Sequence, residues 1–515
     1  MDIVRKSDSA MCDQRSVSES AFFPRRGLRP PGWALVWLGA VVLLALPLRA
    51  QQITPEPLPQ LSIPNFGFPE NEATLTSWVT AMTRSTPEAA FATAKIYLHG
   101  WGLWTALTAE TAQSVDSQPL RVFETWLTPE ELAAAPATGV AVSAAHPRRR
   151  APLRPLNQLR FRLNERDAAN TSDDTDPINR VMGFVKFDPT AADHIVKQQL
   201  LNTEALDALL LGGAQQIPAF PATALVAKPV FQVVEVSDLI DGRYYALKVW
   251  PGPPAAPQPW APSQWPGCVW LDVLDGGDGR GAIDESPASD GSSRTEETTY
   301  PLASIIHYRL SSTDAAGLNE AKPATGASAG DYAILVAMHV AGREIARWTW
   351  QTFWWTPTPD DPHEPSSPAI ASRRPAQLRG AARNYAMALA YTLLTPDQPY
   401  VGGENAGAPV YAYNPWIEAR FGPADLPDSQ PLADANGGTL ANNVGVQTNC
   451  MSCHIRATYN PNLRATAPRF AGARYTDLGD EQFVGTLQVD FLWSLPRNAQ
   501  SPTNVFQHPQ PITLP

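Results

Sequence analysis

Tyr332-Ala333-Ile334-Leu335-Val336-Ala337-Met338-His339-Val340, a turn at Ala341-Gly342-Arg343, and then the run Ile345 to Trp355 form the stretch that decides the fold. The first run is the strongest strand pattern in the chain. The second places Trp348, Trp350, Thr352 and Trp354 on one side of an extended backbone, because successive side chains in a strand point to opposite faces. The pair reads as a β-hairpin over 332–355. Working outward, 224–236, 244–250 and 305–310 are short segments rich in Val, Tyr, Phe and Trp, again strand-like. Helical spacing is predicted from 74 to about 100, with 101–111 continuing that helix or beginning a second one, over 193–211, and over 380–394. In that last segment Arg383, Met387, Tyr391 and Leu394 fall on one stripe. Proline-rich or polar stretches at 51–75, 133–155 and 356–377 read as an extended arm and loops. Residues 251–300, prolines first and then Gly, Asp and Ser with many acids, read as a long solvated loop. The expected fold class is α+β: a β-rich body with several helices and long Pro-rich loops. No internal repeat is visible.

Bulk properties narrow the class. The chain has 515 residues, 44% of them hydrophobic, which is enough for a substantial core. Its 51 prolines imply many turns and argue against a helical bundle. A formal net charge of −11 disfavours nucleic acid as a partner and suits cationic ones. Arg25, Arg26 and Arg29 precede an apolar run from Trp33 to Leu46, and Leu48-Arg49-Ala50 offers a cleavage site before Gln51. That run is short for a bilayer span and matches a signal-peptide core, so 1–50 is expected to be a signal peptide. The mature chain would be periplasmic with no stable membrane span, or membrane-anchored if the signal is retained.

The chemistry-bearing motif is Cys450-Met451-Ser452-Cys453-His454. Covalent haem attachment needs two thiols that reach both vinyl groups on one edge of the ring, with an axial imidazole next to the second. Cys-X-X-Cys-His provides this within about one helical turn. Asn449 stands where it could cap that turn. One covalent haem c is therefore expected at Cys450 and Cys453, with His454 as the proximal iron ligand. There are four cysteines in the chain. Cys12 lies in the signal, and Cys268 is left alone, so a disulfide framework is excluded and Cys268 reads as a small buried hydrophobe.

The distal ligand is less determined. No methionine follows Met451, and His508 lies in a Pro-rich tail. The haem pocket must therefore borrow walls from upstream. Candidates are His339 and, alternatively, Met387, with Met338 and His99 behind them, or no protein ligand at all. Met338 and His339 point to opposite faces of a strand, so at most one can serve. Arg456, Arg464, Arg469 and Arg474 form a basic cluster that could clamp haem propionates. Phe483, Phe491 and Trp493 could supply an apolar wall. The tryptophan stripe at 348–355 reads as sheet packing, or as a stacking wall for haem or a route for electrons.

The strings Met338-His339-Val340, Trp348 to Trp355, Tyr413-Asn414-Pro415-Trp416-Ile417-Glu418-Ala419, Asn449 to His454 and Phe491-Leu492-Trp493-Ser494 resemble those of a group of large bacterial monohaem c-type cytochromes. The likeness runs from His99-Gly100-Trp101 to Ala499. It implies haem binding outside the cytoplasm and implies no particular reaction. A fainter likeness, at Phe220-Pro221 leading to Lys228, is to lysine-cross-linked monohaem cytochromes that oxidise hydroxylamine, but it assigns no cross-linking lysine here.

These readings divide the chain into a signal peptide (1–50), an α+β region (51–250), the acidic Pro-rich loop (251–300), a hairpin-and-helix region forming part of the haem pocket (301–440) and a haem attachment segment (441–515). The expected function is transfer of single electrons to or from a redox partner protein. The alternative is a five-coordinate haem enzyme or gas sensor with an open distal site, and a third reading makes the haem structural.

Overall fold

The computed structural model describes residues 53–501 apart from 83–85, 116, 134–180, 322–324, 423–425, 427–431, 434–438, 441–443 and 462–472. The signal peptide, the loop expected over 133–155, Arg464, Arg469 and His508 fall outside or mostly outside the described residues. The protein is an α+β structure with a β-rich body. The elements that position the site are, in chain order, helices α1 (Glu72–Met82) and α2 (Pro87–Leu107), strands β1 (Val181–Gly183) and β2 (Lys186–Phe187), and helices α3 (Pro189–Lys197) and α4 (Thr203–Leu211). Strands β3 (Leu225–Val234), β4 (Tyr244–Lys248), β5 (Cys268–Asp272), β6 (Thr299–Pro301), β7 (His307–Arg309), β8 (Tyr332–Gly342), β9 (Thr349–Trp355) and β10 (Tyr385–Ala390) follow, and then the short helix α5 (Cys450–His454).

The main sheet has seven strands in the order β10-β9-β8-β3-β1, with β2 also on β3 and β7 also on β8. Every pairing in it is antiparallel. The hairpin expected over 332–355 is its centre: Ala341 faces Trp350 and His339 faces Thr352 across β8 and β9. Directly opposed residues share a face, so Lys228, His339, Thr352 and Trp350 stand on one side of the sheet. Pro229, Met338, Phe353 and Met387 stand on the other. The second side is covered by α2, where the Trp104 ring stacks on Phe353 at 4.3 Å. Trp101 and Trp104 are fully buried there, and their indole N–H groups donate to the carbonyls of Ile370 and Ala382.

Four expectations are revised. The helix expected over 380–394 is a 3-10 turn at Gly380–Asn384 followed by β10. All six β10 residues are buried between β9 and the core, and the alternation of Tyr385, Met387 and Leu389 with alanines suits a strand buried on both faces. The helix expected over 193–211 is two helices. Gln199 takes a left-handed φ of 53° between them, and the Asn202 side chain caps α4. The segment 251–300 is not a solvated loop throughout. It contains β5, wholly buried, which pairs with β4 and β6. Two of its acids serve that packing: Asp272 accepts from Arg243 at 2.9 and 2.6 Å, and Asp284 accepts from the Trp270 indole at 2.9 Å. Finally, Trp348 stands outside β9, in a left-handed conformation with φ 60°.

Candidate haem site

Helix α5 starts where the sequence places it. The Asn449 side chain accepts a hydrogen bond from Met451 N at 2.9 Å and donates to the Val410 and Thr392 carbonyls, fixing the start of the turn. One turn then carries both thiols and the imidazole. Cys450, Cys453 and His454 all line one cavity on the tryptophan side of the sheet, with about 1000 Å³ of empty volume including its open mouth. Its floor is the main sheet, through Val226 and Lys228 of β3, His339 and Ala341 of β8, and Trp350 of β9. Ile417, Glu418 and Phe421 close one side; Leu492, Trp493 and Arg497 close another. Its walls are mainly apolar with few polar groups, the character of a cofactor pocket.

His454 is held in one orientation. Its Nδ1 donates to the Phe491 carbonyl at 2.7 Å, and its ring lies 4.2 Å from the Trp350 ring. That bond fixes the tautomer and leaves Nε2 with the lone pair a metal needs. Burial pushes the imidazole down to about 3, with the bond to Phe491 opposing, so it stays neutral. The carbonyl is aimed by a strained turn in which Asp490 and Phe491 both adopt left-handed φ, 45° and 68°. Strain of this kind persists where surroundings over-determine it. Here the buried Asp490 carboxylate accepts from Phe220 N, the Arg343 guanidinium and the Trp348 indole.

The thiols are not tuned as a dithiol redox pair, which needs a lowered pKa. Burial raises both, Cys453 to about 12, and Glu418 adds to the effect. They are not joined to each other, and Cys450 Sγ donates to the Ala412 carbonyl at 3.1 Å. Cys268 is buried in β5, and burial takes its thiol to about 12.

His339 reaches the cavity, and its Nε2 meets Glu418 Oε1 at 3.0 Å. Its Nδ1 is buried without a hydrogen-bond partner. Burial works against the Glu418 carboxylate, but His339, the Asn414 N–H at 2.6 Å and Lys228 together hold it below the ordinary range. Burial lowers the Lys228 ammonium, with Glu418 opposing.

Met387 is not brought to the cavity. It lies opposite Phe353 on the α2 side, where a Cβ on Gly100 would meet its sulfur at 2.8 Å. Met338 shares that side. His99 is there too, hydrogen-bonded to Tyr391 at 2.6 Å and to Glu344 at 3.0 Å. Of the expected apolar walls, Trp493 lines the cavity, Phe491 contributes its carbonyl, and Phe483 lines none of it. Neither Arg456 nor Arg474 lines it; the cation that does, besides Lys228, is Arg497. Sequence reasoning also missed Asp490 and the role of Glu418. Only the Glu418 string gave a signal, as part of a resemblance.

Comparison with protein-family models, with characterised proteins and with solved structures finds no match to this chain. Among the described residues no helix is long and apolar enough to cross a membrane.

The residues present fit a covalent haem. Two thiols and a neutral imidazole share one turn, face one apolar cavity, and are flanked by an aromatic ring and two cations.

Proposed function

We propose that the chain is an exported c-type cytochrome of the monohaem kind its sequence resembles, and that it transfers single electrons to a partner protein outside the cytoplasm. Cys450 and Cys453 would hold one haem through thioethers, and His454 Nε2 would bind its iron. The observation that carries this reading is His454: its Nδ1 is committed to the Phe491 carbonyl while both thiols of the same turn line the same cavity. When bound, haem supplies a one-electron iron couple whose potential is set by axial ligands and burial. The chain's own residues orient the imidazole, keep it unprotonated, and surround the cavity with Ile417, Leu492, Trp493 and Trp350, which limit access of water. Arg497, which lines the cavity, provides a cation for a propionate. Net charge points to a cationic partner surface.

A second reading, a haem enzyme or gas sensor, is favoured by one observation: Lys228, His339 and Glu418 place three proton-exchanging groups on one cavity. The test is the visible spectrum of protein produced with the haem-attachment machinery, oxidised, reduced, and reduced under carbon monoxide. Colour that survives denaturation and is lost in Cys450→Ser/Cys453→Ser supports attachment, and its absence from the wild type overturns it. Sharp reduced bands unmoved by carbon monoxide support electron transfer. A reduced spectrum that shifts moves the assignment to the second reading.

A further inference from the structure

The polar groups at the cavity are not equivalent. His339 is committed through Nε2 to Glu418 at 3.0 Å, and its other nitrogen is buried. Glu418 is committed twice, to His339 and to the Asn414 N–H. Lys228 stands directly opposite His339 across the β3–β8 ladder. It is the one residue of β3 that is not fully buried, and it lines the cavity. Among the described residues it has no hydrogen bond and no ion pair within 4 Å. A lysine in a central apolar strand needs a reason, because such side chains are rarely buried without a partner. Its stem runs past Gly183 of the neighbouring β1, where a Cβ would sit 3.5 Å from Lys228 Cε, at ordinary contact distance. The stem therefore lies against a glycine, and the amine is left to the cavity.

We propose that the Lys228 amine, rather than His339 or Met387, is the distal ligand to the haem iron. This rests on the attachment reading above. Coordination forms a bond between the Nζ lone pair and the iron, with no change in oxidation state, and the ammonium proton leaves to solvent through the cavity mouth. His339 and Glu418 become positioning residues: their mutual bond occupies the neighbouring polar groups, so that neither competes for Lys228.

The experiment uses the full-length, haem-loaded protein. Electron paramagnetic resonance and near-infrared magnetic circular dichroism of the oxidised wild type separate histidine–amine ligation from bis-histidine and histidine–methionine ligation without any variant. The expected result is a low-spin histidine–amine signature, lost to a high-spin signal in Lys228→Ala. Bis-histidine or histidine–methionine signatures, a high-spin wild type, or loss of the low-spin signal in His339→Ala but not in Lys228→Ala would each overturn the proposal. So would a haem peptide that keeps a β3 fragment attached after proteolysis, since that means a covalent bond in place of coordination. A wild type with no covalent haem sinks the attachment reading itself, and the haem stain reads that out before any ligand is assigned.

Discussion

Asp490 and Phe491 hold left-handed backbone angles that side-chain-bearing residues rarely adopt, and the Phe491 carbonyl they aim sets the direction of His454. The Asp490 carboxylate is the buried hub that keeps that turn in place. Removing it leaves the Arg343 guanidinium, the Trp348 indole and the Phe220 N–H without their acceptor. Asp490→Ala should therefore lower unfolding stability by about 3–5 kcal/mol in urea titration, the penalty of stranding buried partners. Met387 gives the opposite expectation. It packs under α2 on the far side of the sheet, so Met387→Leu should cost less than about 1.5 kcal/mol and leave the visible spectrum of loaded protein unchanged. A changed spectrum would contradict the placement of Met387 by its pairing with Phe353. At this scale the sequence was uneven. The turn Cys450–His454 and its cap by Asn449 were legible because the motif is local. Lys228, Arg497 and Asp490 were not assigned roles, because each acts on residues far from it in sequence, and nothing local distinguishes a lysine that lines a cavity from one that snorkels to solvent.

Strand β9 divides two environments. Its Phe353 faces the helix layer and its Trp350 faces the imidazole of α5. Trp350→Ala should remove about 3–5 kcal/mol of stability and broaden the spectrum of the loaded protein, since the His454 ring loses the surface it lies against. The small sheet β4-β5-β6 yields a prediction about pH. Arg243 holds the Asp272 carboxyl below the ordinary carboxylate range, helped by the Leu274 and Gly276 N–H groups and opposed by burial. The folded protein thus binds this proton less readily than the unfolded chain. The contribution is complete above the unfolded value of about 4 and is lost as pH falls through the folded one. Asp272→Asn should lower Tm at neutral pH and flatten the fall in stability on the acid side; an unchanged acid limb would refute the linkage. The hairpin was readable from its alternation, whereas β10 was read as a helix because Met387, Tyr391 and Leu394 also satisfy helical spacing. A strand buried on both faces shows no polar side to break that tie. In the acid-rich stretch, composition concealed β5, since nothing local marks Asp272 and Asp284 as the two acids that are buried against neighbours.

Taken whole, the molecule covers one side of a single sheet with the helix that carries Trp101 and Trp104 and opens its cavity on the other, beside Trp350. A mainly apolar cavity of this size leaves the lining short of contacts, so filling it favours the folded state. Haem-loaded protein should melt at a higher temperature than Cys450→Ser/Cys453→Ser prepared without haem, and calorimetry on the two checks it; equal Tm values would mean that the cavity is not where haem sits. The α+β class and β-rich body followed from pattern alone. The way distant segments converge on one cavity did not, because that convergence is a property of topology.

One consequence concerns time. The main sheet is complete in the chain by Ala390, well before Cys450 is reached, and chains fold from the N-terminal side as they emerge. The scaffold is therefore waiting when the thiol-bearing segment arrives. Once that segment docks, the Cys450 thiol is engaged by the Ala412 carbonyl and both cysteines are half-buried at the cavity. On the proposed reading, docking and haem ligation would be in a race. Slowing the clasp, for example by weakening the Phe491 turn, would trade stability of the finished protein for yield of the loaded one.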